Sequence, residues 1–336
     1  MTYCADMIVT RTPLRVSFAG GGTDLAEFYT NGHGGVLSTT IDKYVYVTVK
    51  RHGEIFGEPI RLNYSETEQV NRVEDIRNDI ARECLRLLEI EPPIYISTVA
   101  DVPAASGLGS SSAFAVGLLN ALHVYKGERV SAGQLAEEAA HIEIDVLHGP
   151  IGKQDHFAAA FGGFSFLSFL ADGGVSVEPQ RFSNDGLKHL FEHLIVFWTG
   201  ITREAASVLG EQRRNTAERV AELTAMRDCA RQMQEALRRG FVPEEFGRAL
   251  TASWEIKRQL ASGVSNGRID RWYDLAMEAG ACGGKLCGAG GGGFLLFVVR
   301  PERREQVRHA LRDLTVIPLG YEPQGSRVLM PAAAWS

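Results

Sequence analysis

Three glycine-rich segments and one carboxylate have the residue types and spacing that could do chemistry. In residues 103–113, PAASGLGSSSA, a Gly-rich loop runs directly into an apolar stretch that predicts a helix. Unpaired N–H groups and the dipole at such a helix start attract phosphate. The residues placed for phosphate binding are Gly107, Leu108, Gly109, Ser110, Ser111 and Ser112. A serine-capped helix is the alternative, although a cap needs only one serine.

The first glycine-rich segment, residues 13–24, follows a predicted strand. That strand delivers Arg15, and three consecutive glycines then let the backbone pass close to a ligand, because glycine has no Cβ and tolerates positive φ. The polar end of the segment could bind the hydroxyl groups of a small molecule, at Gly21, Gly22, Thr23 and Asp24. A tight turn capped by Asp24 is the alternative.

The third segment, residues 283–293, contains the string G-x-G-x-x-G from Gly288 to Gly293. A dinucleotide-binding loop would open a helix, but a β-branched and aromatic run that predicts a strand follows here, so we reject an NAD-dependent oxidoreductase. The glycines still predict a close backbone approach, with a packed β-turn as the alternative. Those that would support the other loops are Gly288, Gly290, Gly291 and Gly292.

The carboxylate is Asp155, which begins an Ala-rich stretch after a Gly-Pro break. It could cap a helix or accept a proton from a substrate hydroxyl. Glu143 lies twelve residues upstream on a predicted helix, where an exposed glutamate and a magnesium ligand are the two interpretations.

The elements that must position these residues form an α+β pattern. Strands are predicted at 7–19, 36–50, 94–99, 161–170, 194–198 and 316–318, and between 282 and 299. Helices are predicted at 73–90, 111–125, 134–147 and 302–311, and residues 202–279 read as several amphipathic helices. Strands at both ends and a helical middle favour two closely packed α+β lobes.

Composition excludes several classes of protein. The 336 residues carry 35 Lys and Arg against 41 Asp and Glu, a net charge of −6, so we expect no nucleic-acid or membrane partner. Five irregularly spaced cysteines fit a reducing compartment. We see no secretory leader and no apolar run long enough to span a bilayer, and we expect a cytoplasmic protein. Homo-oligomerisation stays open.

Together and in this order, the segments resemble those of the GHMP kinases, a superfamily named for galactokinase, homoserine kinase, mevalonate kinase and phosphomevalonate kinase. The stretches RTPLRVSFAGGGTDLAEFY, STTIDKYVYV and GKQDHFAAAFGG are most similar to its branch of bacterial D-glycero-D-manno-heptose 7-phosphate kinases. The resemblance implies an N-terminal lobe, residues 1–185, with a ribosomal protein S5-like fold and a left-handed βαβ crossover. It implies a ferredoxin-like C-terminal lobe at residues 186–336.

The same resemblance implies roles for the residues above, with ATP as phosphate donor and Mg²⁺ as cofactor. Residues 107–112 would wrap the ATP phosphates, and Ser111 and Glu143 would hold magnesium. Asp155 would be the catalytic carboxylate, and Arg15 would polarise the hydroxyl or steady the phosphoryl group. Asp24 would bind a sugar hydroxyl, and residues 288–293 would form a third loop that supports the first lobe and the phosphates.

One departure from the galactokinase pattern, in the first glycine-rich segment, favours a particular acceptor. Galactokinases place Glu-His before Thr-Asp in the first segment, whereas this sequence has Gly21-Gly22, which favours the heptose branch over galactose. The expected reaction is phosphorylation of the anomeric hydroxyl of D-glycero-D-manno-heptose 7-phosphate, for nucleotide-activated heptose used in capsule, lipopolysaccharide or S-layer glycans. Alternatives are fucose, mannose or galactose as acceptor, and a non-catalytic ligand-sensing regulator.

A phosphate already present on the acceptor would need cationic partners. The candidates, chosen by their position near the motif segments, are Lys43, Arg51, Lys153 and Arg203. Arg203 is preferred because it lies in the polar sequence TGITR after a predicted buried strand. A surface position is the usual alternative for any lysine or arginine.

Overall fold

The fold was analysed in a computed structural model that describes residues 7–53, 55–182, 185–202 and 205–330, without the side chains of residues 205–207 and 330. In these ranges the chain forms two sheets, with helices packed on both. The strands of the larger sheet are β1 Ile8–Ala19, β2 His33–Arg51, β3 Ile60–Asn63, β4 Thr67–Val70, β5 Ile94–Ala100, β6 Phe164–Leu170, β7 Val175–Pro179 and β12 Arg327–Met330. The strands of the smaller sheet are β8 Leu194–Trp198, β9 Gly283–Leu286, β10 Phe294–Val298 and β11 Thr315–Ile317.

The helices fall into two groups along the chain, before and after residue 185. Those before residue 185 are α1 Ala26–Tyr29, α2 Asp79–Leu87, α3 Ser110–Tyr125, α4 Ala132–Ala140 and α5 Gln154–Phe161. Those after it are α6 Gly186–His193, α7 Ala205–Asn215, α8 Val220–Arg239, α9 Pro243–Lys257, α10 Gly267–Glu278 and α11 Arg304–Ala310. Side-chain oxygens of Asn78, Ser131 and Asn266 accept backbone N–H groups and so cap α2, α4 and α10.

The larger sheet has eight strands, in the order β12-β1-β2-β5-β3-β4, with β6 paired to β2 and β7 paired to β6. Strand β2 spans 19 residues and pairs with β1, β5 and β6, so it joins the two branches of the sheet. Strands β3 and β5 are parallel, and α2 lies in the crossover between them. Helix α3 packs on β1 and β2, and the loop that precedes α3 is hydrogen-bonded to Arg15 of β1.

The smaller sheet is antiparallel, in the order β11-β8-β10-β9. Its chain order is β8, a helical region, the β9–β10 hairpin, α11 and β11. A β-α-β-β-α-β connection with the strand order 4-1-3-2 is the ferredoxin-like arrangement. The predicted fold of the C-terminal lobe is therefore confirmed.

One apolar core extends across both lobes. The cluster around Phe18 and Leu118 in the first lobe continues through Leu194, Phe246 and Leu296 in the second. Strand β12 also returns to the first sheet, where it pairs with the start of β1. The lobe boundary between residues 185 and 186 stays a prediction, and the return of residues 327–330 shows that the two lobes interleave.

Several predicted elements are shorter or more divided than expected. The helix predicted at 73–90 is a 3₁₀ turn followed by α2, and the strand predicted at 161–170 begins only at Phe164, because Phe161 ends α5. The helix predicted at 134–147 is α4 continued by a π-helical segment, His141–Val146. No helix among the described residues is long and apolar enough to cross a membrane.

Candidate active site

An ion pair between Arg15 of β1 and Asp155 of α5 lies at the centre of the site. The Arg15 Nε donates to Oδ1 of Asp155 and Nη2 donates to Oδ2, both at 2.6 Å. Two parallel hydrogen bonds of this kind fix the plane of the carboxylate. The Asp155 side chain is 22% exposed, and each of its oxygens keeps a second lone pair for another donor.

The phosphate loop lies against this ion pair. The backbone N–H of Arg15 donates to the carbonyl of Leu108 at 3.1 Å, and its Nη1 donates to the carbonyl of Gly107 at 2.7 Å. Gly107 and Gly109 have φ of +85° and +78°, which favour glycine. A Cβ at Gly109 would lie 3.2 Å from Oδ2 of Asp155, so the carboxylate faces the loop directly.

Helix α3 begins where the phosphate loop ends. Its N-cap is Gly109, and its first intrahelical bond runs from the Ala113 N–H to the Gly109 carbonyl, which leaves the preceding N–H groups without helical acceptors. Of the three serines in the first turn, Ser111 is exposed and Ser112 is buried. This free helix start beside a carboxylate suits a phosphate group.

The third glycine-rich segment supports the phosphate loop from behind. A Cβ at Gly288 would overlap the Cα of Gly107, and one at Gly293 would overlap the carbonyl of Ser106. The other glycines of the segment approach the backbone of the second lobe, at Gly290, Gly291 and Gly292. The predicted support role therefore has a contact at Gly288, while the three later glycines bind the segment to its own lobe.

The first segment forms a buried turn at the end of β1. Asp24 accepts the N–H of Gly22 at 2.9 Å and the N–H of Gln154 at 3.2 Å, and burial together with the nearby Asp155 raises the pKa of Asp24. The hydroxyl of Thr23 donates to the carbonyls of Gly20 and Gly35. Thr23 is fully buried and holds the turn together, which differs from its predicted contact with substrate.

A polar cavity opens beside the turn and the ion pair. Gly21, Gly22, Asp24, Arg15 and Asp155 line it, together with residues that the motifs did not indicate: Ser17, Gln154, Gln212, Lys257 and Lys285. Both lysines are buried. Burial lowers the pKa of Lys257 to about 8 and that of Lys285 to about 7, and the neighbouring Arg15 and Lys257 charges add to the respective shifts.

Comparison with known proteins assigns this site to a family. Residues 73–163 match the N-terminal domain of the GHMP kinases and residues 233–315 match their C-terminal domain. A D-glycero-alpha-D-manno-heptose 7-phosphate kinase of Campylobacter jejuni is 34% identical over 324 residues, 91% of this chain and 93% of that protein. This chain belongs to the GHMP kinases.

Two further relatives show how far the likeness extends. An L-fucokinase/L-fucose-1-P guanylyltransferase of Bacteroides fragilis is 27% identical over 93% of this GHMP kinase and 36% of that longer protein. The crystal structure of a D-glycero-D-manno-heptose 1-phosphate kinase from Bacteroides thetaiotaomicron is 26% identical, with a TM-score of 0.79 over 97% of this chain and all of that one. The GHMP kinase fold and an ATP-dependent phosphotransferase activity, predicted from the motifs, are confirmed.

Glu143 lies apart from the polar cavity of this GHMP kinase. It is buried in the π-helical segment, and its Oε2 is hydrogen-bonded to Nε2 of His156 at 2.8 Å. It is absent from the residues that line the cavity with Asp155. Within the described ranges, no three His, Cys, Asp or Glu side chains are grouped as a metal site.

Two of the predicted cations for an acceptor phosphate, Lys43 and Lys153, do not line the polar cavity. The Lys43 ammonium donates to the carbonyl and carboxylate of its neighbour Asp42, at 3.0 and 2.9 Å, and Lys43 does not line the cavity. Lys153 donates to Glu137 and to a backbone carbonyl. Arg203 lies outside the described residues.

The sequence held a signal for Lys257 that the motif search missed. Helix α9 buries Phe246, Leu250, Ser253, Trp254 and Lys257 on one face. Intervals of four, three, one and three residues follow the stripe that an amphipathic helix turns toward a core. A lysine in such a stripe is unusual, because lysine is almost never fully buried without a partner.

Proposed function

We propose that this GHMP kinase transfers the γ-phosphoryl group of ATP to the anomeric hydroxyl of D-glycero-D-manno-heptose 7-phosphate. The product, a heptose 1,7-bisphosphate, would enter nucleotide-activated heptose synthesis in the cytoplasm. The observation that carries the proposal is the position of Asp155. Its carboxylate is oriented by Arg15 and faces Gly109, the N-cap residue of helix α3.

Proton transfer follows from this geometry. The acceptor hydroxyl donates its proton to Asp155 while its oxygen bonds to the γ-phosphorus, and the bond from that phosphorus to the β-phosphate oxygen breaks. ADP leaves with the electrons of the broken bond. Arg15 keeps the carboxylate in place, and the N–H groups at the start of α3 bind the charge on the transferred group.

Magnesium would be held at the edge of the phosphate loop. The exposed Ser111 hydroxyl stands in the first turn of α3, and Glu143 has one carboxylate oxygen outside its bond to His156. One or two protein groups with phosphate oxygens complete a typical magnesium shell, and Ser111 and Glu143 are the two ligands that we propose. When bound, the ion neutralises charge on the β- and γ-phosphates.

The heptose phosphate is preferred over other sugars for two reasons. The relatives of Campylobacter jejuni and Bacteroides thetaiotaomicron are both named as heptose phosphate kinases, although their names place the phosphate at different positions. The glycines at 21 and 22 also leave space where galactokinases carry Glu-His. Arg15 and Lys257, joined by Lys285 below its pKa of about 7, give the cavity positive charge beside Asp24 and Asp155, which suits an anionic acceptor.

A coupled ADP-release assay tests this proposal. The acceptors are D-glycero-D-manno-heptose 7-phosphate, mannose, fucose, galactose and mevalonate, each with ATP and Mg²⁺, and Asp155→Asn serves as the blank. We expect the highest kcat/KM with the heptose phosphate. The phosphorus NMR spectrum of the product should show a second phosphate coupled to the anomeric proton.

Other outcomes would favour the alternatives. Turnover with fucose, mannose or galactose but not the heptose phosphate would keep the sugar kinase and discard the proposed acceptor. Binding of ATP and sugar without any turnover would favour the ligand-sensing regulator, although the retention of Asp155, Ser111 and Glu143 argues against it.

A further inference from the structure

The proposed reaction requires the protein to hold two separate phosphates. One is the transferred group, which lies between Asp155 and the start of α3. The other is already part of the acceptor and must be held away from the first, because like charges in a cavity repel strongly. The cations of the polar cavity differ in how many of their N–H groups already donate to a protein acceptor.

Arg15 and Lys285 have most of their donors in use. Arg15 gives three of its five N–H groups to Asp155 and the Gly107 carbonyl. The Lys285 ammonium gives two of three to the carbonyls of Ser17 and Phe18, at 2.7 and 3.1 Å. Both cations are committed to holding strands and loops together.

Lys257 has donors to spare. Among the residues that the structure describes, its ammonium donates to one acceptor, the carbonyl of Gly288, and two of its three N–H groups remain. It stands at the end of α9 and points toward the first glycine turn. A Cβ at Gly21 would lie 3.8 Å from its Nζ and 3.7 Å from Nε2 of Gln154.

Gln212 of α7 adds a second free donor at the same turn. It is only 2% exposed, and its Nε2 has no hydrogen-bond partner in the part of the chain that the structure describes. This amide reaches so close to Gly22 that any Cβ there would overlap it. An unpaired buried donor destabilises the folded protein, and a ligand that accepts its hydrogen bond removes this cost.

A second cavity shares Asp24 with the first but cannot take a phosphate. It contains Glu137 and Asp145, and its lysine, Lys153, donates to Glu137 at 3.1 Å and to the Gly173 carbonyl at 2.9 Å. Three carboxylates against one paired ammonium repel a dianion. The phosphate end of an acceptor is thus directed to the cavity that holds Lys257.

We infer that Lys257 and Gln212, both from the second lobe, form the subsite for the phosphate that the acceptor already carries. The inference rests on the proposed function and names the specificity-determining residues of that site. The paired glycines at 21 and 22 are part of the same device, because they leave the space through which both donors reach the first lobe.

The test pairs a change in the enzyme with a change in the substrate. Steady-state kinetics are measured for wild type, Lys257→Met and Gln212→Leu with D-glycero-D-manno-heptose 7-phosphate and with the unphosphorylated heptose. We expect Lys257→Met to raise KM for the heptose phosphate about 10- to 100-fold, the effect of losing hydrogen bonds to a charged group. At saturating ATP, kcat/KM for the plain heptose should change less than about threefold, within ordinary mutational scatter.

Four further variants and a folding measurement serve as controls for these kinetics. Lys188→Met removes one positive charge from an exposed side chain of the second lobe and should leave every constant unchanged. Lys43→Met and Arg203→Ala test the cations that the sequence indicated. Thermal unfolding and Lys257→Arg, which keeps a positive charge, separate a loss of folding from a loss of the subsite.

Failure of the proposed subsite gives different results from failure of the proposed function. An equal loss of kcat with both acceptors would overturn the subsite, because Lys257 would then act on the transferred phosphoryl group. Discrimination lost in Arg203→Ala or Lys43→Met but kept in Lys257→Met would also overturn it. If wild type does not turn over the heptose phosphate, isothermal titration with mannose 6-phosphate still measures phosphate binding, which must weaken in Lys257→Met.

Discussion

Asp155 is the residue on which the proposed reaction depends most directly. Its two oxygens accept hydrogen bonds from Arg15 and so have a fixed direction, while the exposed part of the carboxylate remains open to an acceptor. Asparagine has nearly the same shape, but it cannot take up the hydroxyl proton. The substitution therefore removes proton transfer and leaves the cavity in place.

We expect Asp155→Asn to lower kcat by about 10²–10⁴, the usual contribution of a positioned base. KM for ATP should stay within about threefold of wild type, because the phosphate loop is unchanged. The measurement is the ADP-release assay under saturating acceptor. Asp274→Asn, which changes an exposed carboxylate, is the matched control, and near-normal turnover of Asp155→Asn would refute the base assignment.

The lowered pKa of Lys257 predicts that kcat/KM for the heptose phosphate depends on pH. Its lowered pKa of about 8 means that the free enzyme loses the ammonium charge as the pH rises through that value. If that charge binds the acceptor, kcat/KM for the heptose phosphate should fall above about pH 8, approaching tenfold per further pH unit. The charged or titratable groups that act on Lys257 or on its neighbour Lys285 are Arg15, Asp24, Asp155, Lys285 and Cys287.

The variant Lys257→Arg distinguishes the titration of Lys257 from that of other groups in the site. A guanidinium stays charged throughout the range, so the fall above pH 8 should disappear in the variant. Lys285, with a pKa of about 7, titrates in both proteins and cancels in the comparison. An unchanged alkaline limb in Lys257→Arg would assign it to another group.

Sequence reasoning found the residues that belong to short motifs and missed those that do not. Arg15, Asp155 and the glycines of the phosphate loop were predicted, because each lies within a local pattern that has a chemical reason. Lys257 and Gln212 come from helices more than 180 residues after the first glycine turn, and only the folded chain places them beside it. Thr23 was given a substrate role that its buried backbone bonds do not support.

At the scale of elements, the contact between the second and third glycine segments links two lobes at one point. Gly288 has φ of +71°, and any Cβ there would overlap Gly107. Neither backbone can move away easily, since Gly107 is held by Arg15 and Gly288 by Lys257. Changes at Gly288 should therefore be transmitted to the phosphate loop.

We expect Gly288→Ala to lower the free energy of unfolding by about 1–3 kcal/mol, from backbone strain and overpacking. It should also raise KM for ATP several-fold, because the phosphate loop must shift. Denaturant unfolding and ATP kinetics measure the two effects. Gly32→Ala is the control, since a Cβ at Gly32 meets nothing within 4 Å and should change neither value.

Element prediction succeeded where hydrophobic periodicity was strong. Strand β8 and helix α3 lie within one residue of their predicted bounds, because a short buried run and a long apolar helix have clear patterns. Strands β3, β4 and β12 were not predicted, as four residues carry too little periodicity. The π-helical segment that carries Glu143 has no sequence signal distinct from that of an α-helix.

At the scale of the whole molecule, the shared core makes the two lobes dependent on each other. Phe18 of the first lobe packs against Phe246 of the second with ring centroids 5.2 Å apart, and α8 packs on both β1 and β2. Burying Phe246 requires the first lobe to be folded. Independent unfolding of either lobe would expose this surface.

We therefore expect one cooperative unfolding transition, although chains above about 150 residues often show more. Three of the four tryptophans, Trp198, Trp254 and Trp272, lie in the second lobe, and Trp335 lies outside the described residues. In a Trp335→Phe variant, fluorescence therefore reports the second lobe, while far-UV circular dichroism reports both lobes. The two signals should change at the same denaturant concentration. Separate midpoints would show that the shared core does not couple the lobes.

The pairing of β12 with β1 has a consequence for synthesis on the ribosome. Val9, Thr10 and Arg11 are translated early, but the partner strand that covers their outer edge begins only at Arg327. The nascent chain therefore carries an open β-edge until more than 300 further residues have been added, and open edges template pairing with other chains. Chaperone contact with the emerging chain should accordingly persist until β12 has left the exit tunnel.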